Sequence, residues 1–263
     1  MSENSAQIDN IGLVITTFNS ESYFQTLYNS IPFDRVGHVV VVNGGEPYKE
    51  KYDYVHWIQH DTVKYPCVAR NDGIKYLWDK NIDHFFVCED DMIIKDPNIF
   101  DAYIQASEFS GLQYFIYASI SWESGPKHNR TPAIKVQYSQ YGDQVNFFRH
   151  MCNEFTYNSR KLIDDVGLYD ENMKNLFDSE YAYRVSQLDY GNPFWYFPDI
   201  DNSDSYIDNN PDAKSRLDHD GQRMMRLKPD HDYFKTKHRI DVSSIPLIST
   251  NQVIDKLKVI KPI

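Results

Sequence analysis

The sequence predicts an α/β fold: a mostly parallel central sheet flanked by helices, followed by an irregular C-terminal extension. Three observations carry that expectation. Residues 11–19, 36–42 and 84–88 are near-continuous apolar runs, the pattern of strands buried on both faces. Segments with apolar residues at helical spacing alternate with them, and strand, helix, strand in succession favours parallel pairing through right-handed crossovers. The third run ends in three consecutive carboxylates, Glu89, Asp90 and Asp91, before apolar residues resume. Adjacent acids repel one another, and a divalent cation offsets both that repulsion and their desolvation.

After the first run, Tyr23, Phe24, Leu27 and Tyr28 recur at helical spacing, with Asn19 or Ser20 as N-cap. Asn43-Gly44-Gly45 closes the second run with a turn, and a third short strand fits residues 54–58. Residues 67–78 predict a helix that turns Val68, Ile74, Leu77 and Trp78 inward, directly before the acid-bearing strand. Ligands of an open α/β sheet gather outside the carboxyl ends of its strands, so Thr16, Thr17, Asn43, Glu89, Asp90 and Asp91 are expected to line one crevice.

Farther on, residues 101–109 predict a helix and 112–120 another strand of the sheet. Residues 121–136, broken by Gly125, Pro126 and Pro132, predict a loop carrying Trp122, a platform for a sugar or a base. Residues 147–157 resume an apolar pattern, 160–166 predict a short helix before Gly167, and 192–198 a short aromatic strand. Residues 199–220 hold seven Asp against Lys214 and Arg216, which predicts an acidic excursion rather than core. From 221 to 263 the balance reverses to nine Lys or Arg against four Asp. The expected division is therefore a domain over 1–198 and an extension over 199–263, ending in an amphipathic helix or arm suited to self-association.

Bulk properties narrow the function classes. A net charge of −11 opposes broad binding to nucleic acid or anionic membrane, so a nucleic-acid acceptor is disfavoured. Three cysteines, Cys67, Cys88 and Cys152, are too few and too scattered for a disulfide framework or a zinc site. With a polar N-terminus and no apolar run near the roughly 18 residues of a membrane span, the expectation is a soluble, cytoplasmic protein.

Four motifs now fall in order: Ile-Thr-Thr-Phe-Asn at 15–19, Val-Val-Val-Asn-Gly-Gly at 40–45, Ala-Arg-Asn-Asp-Gly-Ile at 69–74 and the carboxylate triplet. Together they resemble the nucleotide-sugar-binding half of a GT-A glycosyltransferase, as in glycosyltransferase family 2. The triplet, followed by Met92 and Asp-Pro-Asn-Ile-Phe at 96–100, is closer to the Glu-Asp-Asp motif of N-acetylglucosaminyltransferase I and its relatives. The resemblance implies that Thr16, Thr17 and Asn19 contact base and ribose, and that Arg70 meets the diphosphate or the donor. Asn43 stands where the family commonly places an Asp for the uracil ring. Asp90 would reach the ribose or donor sugar, Asp91 would ligate Mn²⁺ or Mg²⁺, and Glu89 would serve directly or through water. The implied donor is a UDP-sugar.

The resemblance returns at 167–184, where Gly-x-x-Asp-Glu precedes a helix opened by Asp178 and Glu180 and carrying Arg184, similar to the family's Glu-Asp catalytic motif. Inverting glycosyl transfer needs a base to deprotonate the acceptor hydroxyl as it attacks the anomeric carbon. By that resemblance Asp178 is the base, with Glu180 in reserve; both could instead bind acceptor hydroxyls. His219 and His231 each lie between two Asp, and some GT-A enzymes take a third metal ligand from a late His, here His219 first. Arg223, Arg226, Lys228, Lys235, Lys237 and Arg239 form a cationic stripe fit to close over a diphosphate or to dock an anionic partner.

The implied protein is a metal-dependent glycosyltransferase acting on a hydroxyl-bearing acceptor. Two alternatives are a nucleotidyltransferase, whose Gly-rich, basic loop after the first strand is missing from Thr16-Thr17-Phe18-Asn19, and a nucleotide-sugar or Ca²⁺-binding module without turnover.

Overall fold

The computed structural model describes residues 10–119, 131–140, 142–151, 153–212 and 223–263. Trp122 and His219 lie outside them, as do the side chains of Arg223 and Arg226. Along the chain run β1 (Ile11–Thr17), α1 (Glu21–Ser30), β2 (His38–Asn43), β3 (His56–Gln59), α2 (Pro66–Trp78), β4 (His84–Glu89) and β5 (Met92–Ile94). Next come α3 (Ile99–Ser110), β6 (Tyr114–Ile116), β7 (Ile134–Gln137), β8 (Gln144–Arg149), β9 (Phe155–Ser159), α4 (Arg160–Val166) and α5 (Phe177–Ser186). The chain ends with β10 (Tyr196–Ile200), α6 (Ser203–Tyr206), β11 (Ile207–Asn209), α7 (Arg223–His238) and α8 (Thr250–Ile260).

The main sheet has the order β3-β2-β1-β4-β9-β6, parallel except for β9, which runs antiparallel between β4 and β6. Both of its faces are covered, which is why its strands read as unbroken apolar runs. Leu13, Ile15, Val41 and Phe86 face one layer with Phe24 of α1 and Tyr103 of α3, while Val14, Val40, Val42 and Val87 face the other with Ile74 and Leu77 of α2. The predicted fold class is thus the observed one.

Several local expectations need correction. The apolar stretch 147–157 is two strands, β8 and β9, separated at His150 by a left-handed backbone (φ 50°). Residues 134–136, expected to be loop, belong to β7 in a second sheet of order β10-β8-β7. The acidic stretch after 198 is no excursion as far as Asn209. Strand β10 continues through Ile200, and β11 pairs antiparallel with β5, immediately after the carboxylate triplet. Asp199 is fully buried because four donors satisfy it: Tyr103 Oη (2.7 Å), Ser203 Oγ (2.6 Å) and the backbone N–H groups of Ala118 (2.9 Å) and Ile200 (2.8 Å).

The C-terminal arm is a helix, as expected, but its apolar stripe serves its own chain. Val253 and Leu257 of α8 are buried in the first core layer, and Lys256 donates to the Ser186 carbonyl at 2.9 Å. Among the described residues no helix is long and apolar enough to cross a membrane.

Candidate active site

Strand register sets the site. Thr16 lies opposite Glu89 across the β1–β4 pair and Thr17 opposite Asn43 across β1–β2, so three strand ends reach the same level. Helix α2 packs against this level unusually closely, because Gly73 has no side chain: a Cβ there would stand 2.3 Å from Val14 Cγ1. That approach brings Arg70, from the first turns of α2, under the strand ends.

Arg70 is the centre of the site. Its side chain is 1% exposed and bridges the two acidic motifs, Nη1 donating to Asp178 Oδ1 at 2.6 Å and Nη2 to Glu89 Oε1 at 2.8 Å. Nη2 also donates to the Asn153 carbonyl at 2.8 Å, and the guanidinium lies 5.0 Å from the centre of the Phe177 ring. The side chains of Asp178 and Glu89 keep 28% and 40% of their surface, so both stay partly accessible to solvent. Desolvation on the cleft floor pushes the Glu89 carboxyl up to about 8, Arg70 pulls it back, and Asp91, Glu154 and Asp178 add to the rise. Desolvation likewise raises the Asp178 carboxyl from its ordinary value, opposed by Arg70 and by a hydrogen bond from Asn153. The resemblance implies that Arg70 meets the diphosphate or the donor; here both of its η nitrogens are hydrogen-bonded to protein acceptors, Asp178, Glu89 and the Asn153 carbonyl.

Neighbouring Asn71 was missed, although it lies in the same motif. Buried against the 167–171 segment, it donates to the Tyr169 carbonyl and to Glu171 Oε1, both at 2.9 Å, and accepts from the Tyr169 N–H at 2.9 Å. Arg70 and Asn71 together fasten the segment bearing Asp178 onto α2.

At the ends of β1 and β4, Thr17 Oγ1 donates to Asp90 Oδ2 at 2.6 Å and the Phe18 N–H approaches the same oxygen at 3.3 Å. Tyr48 bonds Thr17 Oγ1 and accepts from the Ser20 N–H (3.0 Å). Asn19 adopts a left-handed conformation (φ 52°), and its Oδ1 accepts from the Glu46 N–H at 2.8 Å, which ties the loop after β1 to the loop after β2. Asn43 is buried with its amide spent on that loop: Nδ2 donates to the Glu46 carbonyl (2.8 Å) and Gln59 Oε1 (3.0 Å), and Oδ1 accepts from the Gly45 N–H (2.9 Å). Its expected contact with a base is therefore replaced by a structural role in the turn. Asp91 is half-buried, and its carbonyl accepts from the Asn210 N–H at 2.6 Å.

Glu154 is a further acid that no sequence motif signalled. It immediately precedes β9 and lies beside Glu89, whose N–H donates to its carbonyl at 2.9 Å, and its Oε2 accepts from Asn209 Nδ2 (2.6 Å) and from Ser119 Oγ. Among the described residues no three His, Cys, Asp or Glu side chains are grouped closely enough to hold an ion by themselves. Mg²⁺ is usually held by one or two carboxylates, with phosphate and water completing the shell, and the hard oxygen donors of Asp91 and Glu89 fit that description.

Glu180 is not part of the cleft. Residues two apart on a helix point away from each other, and while Asp178 meets Arg70, Glu180 is fully buried between Arg184 Nε (3.0 Å), Lys237 Nζ (2.6 Å) and His238 Nε2 (3.0 Å). Its reserve role as base is therefore withdrawn. Three lysines of the cationic stripe have acidic partners: Lys237 also pairs with Asp170 at 2.7 Å, Lys228 with Asp232 at 2.8 Å, and Lys235 lies 3.8 Å from Asp241. Among the described side chains, opposite charges within and beside α7 thus accompany these three lysines. Its Asp-His-Asp sequence matters through Asp230 rather than His231. Asp230 is buried and accepts from the backbone N–H groups of Lys174 (3.0 Å), Asn175 (2.5 Å) and Leu176 (3.0 Å).

No family model matches the chain, and no curated protein matches it. Solved structures do. Staphylococcus aureus TarS is 16% identical over 72% of this chain and 36% of its own, with a TM-score of 0.49. TarS 1-349 is 14% identical over 72% of this chain and 60% of its own, at 0.46. The chain thus spans less than two thirds of either TarS structure. The mannosyltransferase PcManGT from Pyrobaculum calidifontis, in complex with GDP-Man and Mn²⁺, is 10% identical over 95% of this chain and 68% of its own, with a TM-score of 0.52. At this identity the likeness is one of fold, and the fold of this chain is that of the mannosyltransferase.

Proposed function

We propose that the chain is a metal-dependent glycosyltransferase that moves a sugar from a nucleotide-sugar donor, a UDP-sugar by the sequence resemblance, to an acceptor hydroxyl with inversion. The observation that carries this is Arg70, which holds Glu89 of the donor-side motif and Asp178 of the base motif in one cleft. In this reading Asp178 removes the proton from the acceptor hydroxyl while its oxygen bonds to the anomeric carbon and the bond from that carbon to the diphosphate breaks. A carboxyl raised above its ordinary range is a better base near neutral pH than an exposed Asp. Thr17 and Asp90 orient the ribose or donor sugar, with Thr16 and Asn19 beside them. Asp91, assisted by Glu89, would hold Mn²⁺ or Mg²⁺, which takes up charge on the departing diphosphate. The fold neighbour's complex with GDP-Man and Mn²⁺ supports a nucleotide sugar and a divalent ion as the ligand class, and makes GDP-sugars the first competitors to test.

The test is a panel of UDP- and GDP-sugars screened for thermal stabilisation with and without Mn²⁺, since a ligand that binds only the folded state raises Tm according to its affinity. A UDP-sugar that stabilises the protein only with Mn²⁺, and is hydrolysed or transferred by it, is the expected result. Stabilisation by no nucleotide sugar would overturn the proposal.

A further inference from the structure

Helix α5 carries Asp178 in its first turn but lacks a cap of its own, because its N-cap residue, Leu176, has no side-chain acceptor. The acceptor comes from 54 residues downstream. A single oxygen of Asp230, Oδ2, collects the three successive N–H groups of residues 174–176, and the Asp230 side chain is buried in doing so. Two more residues of α7 grip the same segment. Tyr233 Oη donates to Asp170 Oδ2 at 3.0 Å, and Lys237 Nζ reaches Asp170 at 2.7 Å and Glu180 at 2.6 Å. The α7 helix thus holds the segment before Asp178 at Asp170, the turn at 174–176 and the helix behind it at Glu180. On the opposite flank Asp178 itself is held by Arg70.

We propose that Asp230 is a positioning residue for the base: by capping the turn that leads into α5, it fixes the Asp178 carboxyl on Arg70 at the place where an acceptor hydroxyl must be deprotonated. The proposal rests on Asp178 acting as that base. It assigns a catalytic consequence to the basic C-terminal segment that does not involve closing over the diphosphate. A carboxylate acting on three N–H donors at once is a stronger restraint than a neutral cap, since each bond is charge-assisted. Loss of it lets the turn relax without touching Asp90, Asp91 or Thr17, which stand at the ends of β1 and β4. The effect should therefore fall on turnover and leave donor affinity unchanged.

The experiment compares wild type, Asp230→Ala, Asp230→Asn and the control Asp232→Asn, whose exposed carboxylate pairs with Lys228. Each is assayed for transfer or hydrolysis of the donor found in the nucleotide-sugar screen, for donor KM, and for folding by circular dichroism. Misplacement of a reacting group by about 1 Å costs on the order of a hundredfold, so Asp230→Ala is expected to lose about tenfold to a hundredfold in kcat with donor KM within about twofold. Asp230→Asn keeps an acceptor oxygen and should recover part of that loss, which also supplies a folded variant if the alanine protein does not fold. Asp232→Asn should match wild type. Unchanged kcat in both Asp230 variants, or a parallel loss of kcat and donor affinity, would overturn the positioning role while leaving the glycosyltransferase reading intact. A wild type inactive on every donor would overturn that reading and this proposal together.

Discussion

Arg70 and Asp178, 108 residues apart in sequence, meet at 2.6 Å, with the guanidinium almost wholly withdrawn from water. A buried cation survives only with its charge answered. Here Asp178 answers it first, with Tyr169 and Glu89 adding to the pull, which is why Arg70 is held protonated well above its ordinary range despite its burial. The two acidic motifs are therefore bound together by the charge between them.

Removing that charge should be costly. Arg70→Met leaves two carboxylates facing each other on the cleft floor, and breaking a buried pair by deleting one partner costs roughly 3–5 kcal/mol. Because Glu89 is partly exposed, the lower end is expected, about 3 kcal/mol in urea unfolding. Arg70→Lys, which lacks the planar fork that reaches both acids, should recover only part of it.

The base assignment separates binding from chemistry. Asp178→Asn should keep the Mn²⁺-dependent thermal shift given by the donor and lose transfer by about 10²-fold to 10⁴-fold. Asp91→Asn should lose the thermal shift itself. Equal loss of donor affinity in the two variants would remove Asp178 from the role of base.

Acid stability should report on the α7 clamp. Burial alone would raise the Asp170 carboxyl, but Lys237 and the Asn172 N–H outweigh it and hold the group down to about 2, below its ordinary 3.8. A carboxyl depressed on folding contributes stability that is complete above its unfolded value and is lost as pH falls toward its folded value. The window is thus from about pH 4 down to about pH 2, and the contribution at neutral pH is about 2 kcal/mol. In Asp170→Asn the unfolding free energy should be lower at pH 7 and flatter across that window.

Gly73 offers a test in which two effects compete. An alanine in mid-helix gains about 1 kcal/mol in propensity over glycine. Its Cβ, however, would stand 2.3 Å from Val14 Cγ1, on a β-branched side chain locked in the core of β1. Overpacking of this kind costs about 1–3 kcal/mol, so Gly73→Ala should be net destabilising in thermal melts. A gain in Tm would show that α2 can move off the sheet.

The last helix should matter for the fold of its own chain. Leu257→Ala removes a fully buried side chain from the first core layer and should cost about 2–5 kcal/mol. Sedimentation should give the same molecular mass for this variant and wild type. A change of mass without a loss of stability would return the arm to self-association.

The sequence by itself determined the layers. Burial on two faces writes itself locally, as the unbroken runs of β1, β2 and β4 and the helical spacing of α1 and α2, so the parallel sheet was legible before any coordinates. The acid triplet stood out as charges at the end of an apolar run, whereas Asp178 was singled out only by its place before Arg184 in a stretch that resembles a known catalytic motif. Side-chain partnership was not legible, since it depends on which distant segments the fold brings within about 3 Å, and no spacing along the chain records that. Only the tertiary structure decided that Arg70 serves two carboxylates, that Glu180 is enclosed by Arg184, Lys237 and His238, and that Asp230 caps a turn 54 residues upstream. It likewise turned the acidity around Asp199 from a mark of solvent into a mark of core, because four donors from separate elements converge on that carboxylate. A charge reads as exposed until the fold supplies its partners.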